Sequence, residues 1–330
     1  MTIDLEPRYR VNFDAQELAE QYPPAFSDRN KRAVAAVGAG PPAPGTVAVS
    51  QWPAVKLPPD IGATAPPRLE ERPDVYDYGE PPAGEVHWYQ NFANADVFAY
   101  YAGSLLAQDE LQVLEHPLLA SVRHALEDRG LGTFVVEEGR PAPLLVAGVE
   151  RRVALETSAG PGRPGGLYGN AFAAADEATV REAAQRLDPP TRSNILAIEA
   201  PSYGSGAYTQ RQIAAILQTA FSGYLAARLE ALAMPGVDEP GVVMHTGFWG
   251  CGAYGGNRRL MALLQLVAAR AAGLDALVFH TVDESGLDPF RAALNLYERI
   301  FPQEDVTQPT RDIVEAIHSL GFEWGAGNGT

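Results

Sequence analysis

Two stretches of this chain hold residues whose types and spacing could do chemistry. In Gln108-Asp-Glu-Leu-Gln-Val-Leu-Glu-His-Pro117 two adjacent acids, Asp109 and Glu110, open a run that reads as the first turns of a helix. There the peptide dipoles favour an ionised carboxylate. Neighbouring residues on a helix point about 100° apart, so the two do not flank one scissile bond as an ordinary glycosidase pair; one can act while the other orients. The second stretch runs from Val242 to Leu260, where a β-branched segment breaks into Gly247-Phe-Trp-Gly-Cys-Gly-Ala-Tyr-Gly-Gly256 and then opens a helix. A strand feeding a glycine-rich loop at a helix N-terminus presents backbone N–H groups to an anion. The loop is expected to grip an anionic ligand. Gly250, Gly252 and Gly255 also spell G-x-G-x-x-G, so a dinucleotide-binding unit competes with this reading, as does a plain tight turn.

The elements that must position these residues alternate. Val86–Phe92, Thr133–Val136, Leu144–Ala147, Asn194–Glu199 and Asp275–Val282 read as strands. Thr209 with Gln212 forms a capping box ahead of the amphipathic pattern Ile213, Ile216, Leu217, Ala220, Tyr224 and Leu225. Leu260, Leu263, Leu264 and Val267 continue the glycine loop as a helix, and helices over 286–300 and 308–320 finish the chain. Strands alternating with helices over 75–320 predict an α/β sheet with helices on its faces. Residues 1–72 are rich in Pro, Ala and Gly and are expected to form an extended arm outside a 73–330 domain.

Composition excludes several classes. A formal charge of −16 over 330 residues leaves no basic stripe for bulk nucleic acid or an anionic membrane. Met1–Arg10 is charged and the longest apolar stretch, 260–280, is interrupted by Gln265, Arg270 and Asp275, so neither a signal peptide nor a membrane span is expected. A cytoplasmic monomer is the expectation. Cys251, the sole cysteine, reads as a small residue that lets backbone approach phosphate rather than as a nucleophile. The six histidines, His87, His116, His124, His245, His280 and His318, do not pair at metal-ligand spacing, so no metal is expected. Neither Gly-x-Ser-x-Gly nor a Walker-type loop occurs.

At this point the two stretches coincide with one family. Thr246-Gly-Phe-Trp-Gly-Cys-Gly-Ala-Tyr-Gly-Gly-Asn257 resembles the TGNWGCGAFGGD signature of poly(ADP-ribose) glycohydrolases, and 108–117 resembles their QEEIRFLxxPE. Phe92-Ala-Asn94 is similar to the family's FAN, Asn194–Ala200 to its IVAIDA and Ala220–Tyr224 to its AYxGF. The resemblance implies an elaborated macrodomain-like three-layer fold, a mixed sheet flanked by helices, that binds ADP-ribose without a further cofactor. It implies that Glu110 is the catalytic acid, that Asp109 orients the ribose and that Gln108 and Asn94 stand beside them. It further implies that Phe248, Trp249, Gly250, Cys251, Gly252 and Gly255 belong to the diphosphate loop. Tyr254 takes the place of a stacking phenylalanine, Tyr168 resembles a tyrosine that closes over the nucleotide, and Glu80 matches an acid that reads the adenine amino group.

This chain also departs from the pattern. The family's GGG falls on Phe98-Ala99-Tyr100, the Asn of TGNW is Phe248 and the Asp of GGD is Asn257. Phe98, Tyr100 and Phe248 are expected to line the cleft and raise the pKa of Glu110 by desolvation. The first reading is therefore an ADP-ribosyl glycohydrolase acting on an ADP-ribosylated substrate other than the long polymer. An inactive ADP-ribose or nucleotide-sugar binding module is the alternative, and a scaffold recruiting partners through its Pro-rich arm a third.

Overall fold

The period-two alternation of the long strands sets the layers. Val86 and Trp88 face one side of their strand and Tyr89 the other; likewise Leu196 and Ile198 oppose Ile195 and Ala197. Apolar residues on both faces demand cover on both, which helices supply. The structure, a computed structural model, describes residues 5–62, 65–236 and 238–327.

In chain order the strands are β1 (Tyr9–Asp14), β2 (Thr46–Gln51), β3 (Asp60–Ile61), β4 (Arg68–Arg72), β5 (Glu85–Ala93), β6 (Val136–Glu137), β7 (Arg140–Pro141), β8 (Leu144–Leu155), β9 (Ala184–Glu199), β10 (Gly241–Gly247), β11 (Ala276–His280) and β12 (Gln308–Pro309). The helices are α1 (Ala15–Gln21), α2 (Arg29–Val37), α3 (Gln108–Glu115), α4 (Leu118–Asp128), α5 (Asn170–Ala174), α6 (Glu177–Ala183), α7 (Gln210–Ala233), α8 (Arg258–Ala272), α9 (Leu287–Ile300) and α10 (Thr310–Ser319). Eight strands make the main sheet, in the order β1-β2-β8-β9-β5-β10-β11-β4. It is parallel from β9 to β4 and antiparallel from β1 to β9. Helices α7 to α10 bury one face and α1 to α4 the other. This is the mixed-sheet, three-layer α/β fold that the sequence predicts.

One connection positions the site. Both β9 and β10 lead to helices on the first face, α7 and α8, whereas β5 between them leads to α3 on the second. Where adjacent parallel strands send their chains to opposite faces, a crevice opens at their carboxyl ends.

The expectation for residues 1–72 is corrected. That segment supplies β1, β2 and β4 of the main sheet, with α1 and α2 on its second face. The proline pairs at 23–24, 58–59 and 66–67 fall in connections, and Tyr9–Asp14 and Thr46–Gln51 keep an uninterrupted strand pattern between them. No boundary separates 72 from 73, because β4 ends at Arg72 and pairs with β11. The strand expected at Thr133–Val136 reduces to β6 and an isolated bridge between Phe134 and Asp96. Among the described residues no helix is long and apolar enough to cross a membrane.

Candidate functional site

Helix α3 begins where β5 ends, so its first turn sits at the mouth of the crevice. Two bonds lock the join: the Phe92 N–H donates to Gln108 Oε1 at 2.8 Å, and Gln108 Nε2 donates to the Gln90 carbonyl at 3.2 Å. At its other end Glu115 accepts a two-pronged pair from Arg151, at 2.9 and 3.1 Å, and the Leu155 N–H at 2.8 Å. Charge-assisted fork geometry of this kind fixes orientation as well as energy.

The acids thus presented are deeply placed, Asp109 at 7% and Glu110 at 5% exposure. Asp109 accepts from Asn91 Nδ2 at 3.0 Å and from the Asn94 N–H. Burial first and the neighbouring Glu110 second push its pKa up to about 7. Burial also raises Glu110, against the pull of backbone N–H groups; its carboxylate accepts the Ala107 N–H at 3.0 Å. The fully buried Lys31 of α2 acts on both acids and donates to the Tyr101 carbonyl at 2.8 Å. Burial pulls this lysine down to about 8. Two buried carboxyl groups and one buried ammonium are cheapest at zero net charge, with Lys31 charged, one acid ionised and the other protonated. Tyr168 accepts from the Gln108 N–H and leaves its ring partly exposed over this turn.

Opposite lies the glycine loop between β10 and α8. Gly250 holds φ +72°, and a Cβ there would stand 2.4 Å from the Ala200 Cβ at the end of β9. Only glycine both adopts that conformation cheaply and permits that approach. The amides of Gly252, Ala253 and Tyr254 have no acceptor among the described residues, whereas those of Gly255 and Gly256 turn inward to the Gly252 and Gly250 carbonyls. Three adjacent unused amides before a helix suit an anion. Tyr254 ties the loop to the acids' side: Asn94 Nδ2 donates to its hydroxyl, which donates to Glu199 Oε1, both at 3.3 Å.

Most of the predicted residues meet here. Gln108, Asp109, Glu110, Asn94, Tyr168 and Tyr254 form one contiguous group with the loop of Gly250, Cys251, Gly252 and Gly255. Others do not. Trp249 is completely buried and donates Nε1 to the Ile198 carbonyl at 3.1 Å, so it braces the loop against β9 and offers a ligand no surface. Phe248 packs on Phe279 with the Arg258 guanidinium over its ring, inside the first-face core. Phe98 keeps a left-handed backbone, φ +57°, while its ring is 0% exposed in the second-face core. Neither Phe248 nor Phe98 therefore lines the crevice as expected; burying the large ring offsets the roughly 1–2 kcal/mol that this backbone costs an L-residue. Tyr100 stands out at 60% exposure. Glu80 is exposed and has no hydrogen bond to the described residues, just beyond Tyr78, which receives Gln112 Nε2 on the later turn of α3. It does not join the acids. The Cys251 thiol is pushed up to about 12 by burial, in keeping with a small packing residue.

Three participants escaped the sequence reading. Lys31 lies in the supposed arm. Glu199 sits inside an apolar strand pattern, where only its being a carboxylate at the strand end signals a role. The tail Phe322–Gly327 lies along the glycine loop: the Gly325 N–H donates to the Gly255 carbonyl at 2.8 Å, and Trp324 stacks on Tyr208 at 4.3 Å between centroids. Its Gly-Ala-Gly sequence was the available signal. Among the described residues no group of three or more His, Cys, Asp or Glu is arranged to hold a metal ion.

Residues 165–288 match the model of the poly(ADP-ribose) glycohydrolase family, macro domain fold. That segment carries Tyr168, Glu199 and the whole glycine loop; the acids of α3 precede it. The Thermomonospora curvata poly(ADP-ribose) glycohydrolase is similar at 17% identity over 88% of this chain and 86% of that one, with a TM-score of 0.38. The same enzyme bound to the inhibitor ADP-HPD is similar at 18% identity over 71% and 79%, TM-score 0.43. The Deinococcus radiodurans poly(ADP-ribose) glycohydrolase in complex with ADP-ribose is similar at 13% identity over 89% and 96%, TM-score 0.43. The family match covers less than half of the chain but takes in the whole glycine loop: residues 165–288 resemble the poly(ADP-ribose) glycohydrolases of macro domain fold.

Proposed function

We propose that this protein binds ADP-ribose in the crevice and hydrolyses a ribosyl glycosidic bond, on an ADP-ribosylated substrate other than long poly(ADP-ribose). The observation that carries this is the placement of two buried acids and a buried lysine at the carboxyl end of β5, facing three unused amides at the carboxyl end of β10. The amides of 252–254 receive the diphosphate. Asp109, held by Asn91 and Asn94, accepts from ribose hydroxyls. Glu110 gives its proton to the departing oxygen as the bond to the anomeric carbon breaks, and water adds to the oxocarbenium-like centre and returns a proton. Lys31 keeps one negative charge and one proton on the acid pair. Tyr100, exposed where the resembling family has glycine, reshapes the ground on which a polymer would lie.

The test is Glu110→Gln. It keeps shape but delivers no proton, so turnover of ADP-ribosylated protein, nucleoside or nucleic-acid ends, followed by mass spectrometry, falls by about 10²-fold or more while ADP-ribose still raises the melting temperature. Equal turnover by the variant removes Glu110 as the acid. The depth of Glu110, with its carboxylate engaged by the Ala107 N–H, favours a second reading, an ADP-ribose binder without turnover. That reading is correct if the wild type binds ADP-ribose and releases no product from any of the three substrates.

A further inference from the structure

Far from the acids in sequence, the sheet assembles a cluster that the proposed activity does not use. His87 of β5, His245 of β10 and His280 of β11 lie on three adjacent parallel strands. His245 stands opposite Tyr89 and Val278, so each of the other two histidines is offset from it by two residues and shares its face. The rings join end to end. Glu85 Oε2 meets His87 Nε2 at 2.9 Å, His87 Nδ1 meets His245 Nε2 at 3.0 Å, His245 Nδ1 meets His280 Nε2 at 3.0 Å, and His280 Nδ1 meets Asp74 Oδ1 at 2.9 Å. Five groups thus share four hydrogen bonds.

Each of those bonds needs one proton, and a carboxylate at either end can only accept. Three neutral imidazoles carry three protons. The fourth bond therefore requires one proton more. With the extra proton on His87, both downstream rings are Nδ1–H tautomers pointing to Asp74; with it on His280, both upstream rings are Nε2–H tautomers pointing to Glu85. His245 is neutral in either arrangement and changes tautomer between them. We propose that Glu85, His87, His245, His280 and Asp74 form a chain that stores one excess proton at neutral pH, a pH-sensitive clasp between the sheet and the segment 73–80.

Burial of the rings works against the extra proton, and the carboxylate of Asp74 works for it. Tyr89 stacks on His245 at 4.3 Å, and Tyr76 packs edge-on to His280 at 4.9 Å. Burial, then the flanking imidazoles, push His245 down to about 2, which keeps the central ring neutral. Burial also lowers His280, against Asp74 and Asp77, while Arg72 acts on both His245 and His280. Arg68 lies 3.6 Å from Glu85 and Glu70 lies beside Arg68 and Arg72, completing the charged groups around the chain. Tyr76, part of that segment, donates to the Gln90 carbonyl that also accepts Gln108 Nε2, so one acceptor joins the clasp to the start of α3.

The sign of the pH effect follows from counting. Three free imidazoles with an ordinary pKa of about 6.5 together bind one proton at about pH 6.8. Below that the unfolded chain holds more protons than the clasp and stability rises with pH; above it the clasp holds more and its contribution falls. The decisive experiment labels histidine with 15N and counts ring N–H protons on His87, His245 and His280 at pH 7. Four are expected, one of them on His245; three, or two on His245, overturn the proposal. In Glu85→Gln the side-chain amide can donate to His87 Nε2, so four bonds need only three ring protons. The count is then expected to fall to three, and a count of four in this variant overturns the proposal as well. Neither readout depends on ADP-ribose or turnover.

Discussion

Gly250→Ala tests the contact that brings the glycine loop to the acids. The new Cβ would stand 2.4 Å from the Ala200 Cβ, with Met261 Cε at an ordinary 3.6 Å, so Ala200 is the obstacle. Two costs add. Holding φ +72° with an L-side chain costs about 1–2 kcal/mol. Overpacking against Ala200 costs about 1–3 kcal/mol more, giving roughly 2–5 kcal/mol in all. Ala200→Gly removes the atom that is struck and leaves only the backbone term. The double variant should therefore recover about 1–3 kcal/mol relative to the sum of the single variants. Urea denaturation of the four proteins measures this coupling, and repeating it with ADP-ribose reports whether the loop still receives a ligand. Gly250→Ala is expected to lose most of the ADP-ribose stabilisation and the double variant to regain it. Additive effects in the double variant would refute the argument that close packing on β9 shapes the loop.

Three other outcomes are expected. Asp109 is raised to about 7 in the folded protein, above its unfolded value, so its ionisation opposes folding and stability falls as pH rises from about 4 through 7. Asp109→Asn should then melt about 2 °C or more above the wild type at pH 8, with the gain shrinking toward pH 4, although ribose binding weakens; an equal or lower melting point at pH 8 would contradict the burial argument. Lys31→Met removes the one cation that acts on both acids among the described residues, so the rate–pH profile should move to higher pH; a lower rate with an unmoved profile would reduce Lys31 to a support for the Tyr101 carbonyl. Deleting residues 1–52 strips β1 and β2 and exposes the edge of β8, so circular dichroism and thermal melts should show loss of cooperative folding, whereas an unchanged melt would show that the sheet stands without them.

What was legible in the sequence is what short-range chemistry dictates. The Thr209 capping box, the helical spacing behind Asn257 and the strand ahead of Gly247 involve residues a few positions apart, and each element formed where those signals lie. The acid helix and the glycine loop were readable for the same reason, since a dipole and a row of amides are properties of one turn of chain. Tertiary structure decided everything that depends on which strands become neighbours. His87, His245 and His280 are 158 and 35 residues apart in successive contacts, so no spacing rule could join them. Lys31 reaches Asp109 and Glu110 because α2 packs beside α3, and the 1–72 segment enters the sheet because its prolines fall between strands rather than within them. Phe98 makes the same point at one residue. Its sequence position announced a ring in the crevice, but the left-handed backbone at 98 turns that ring into the core, and burial of the aromatic surface determines where it rests.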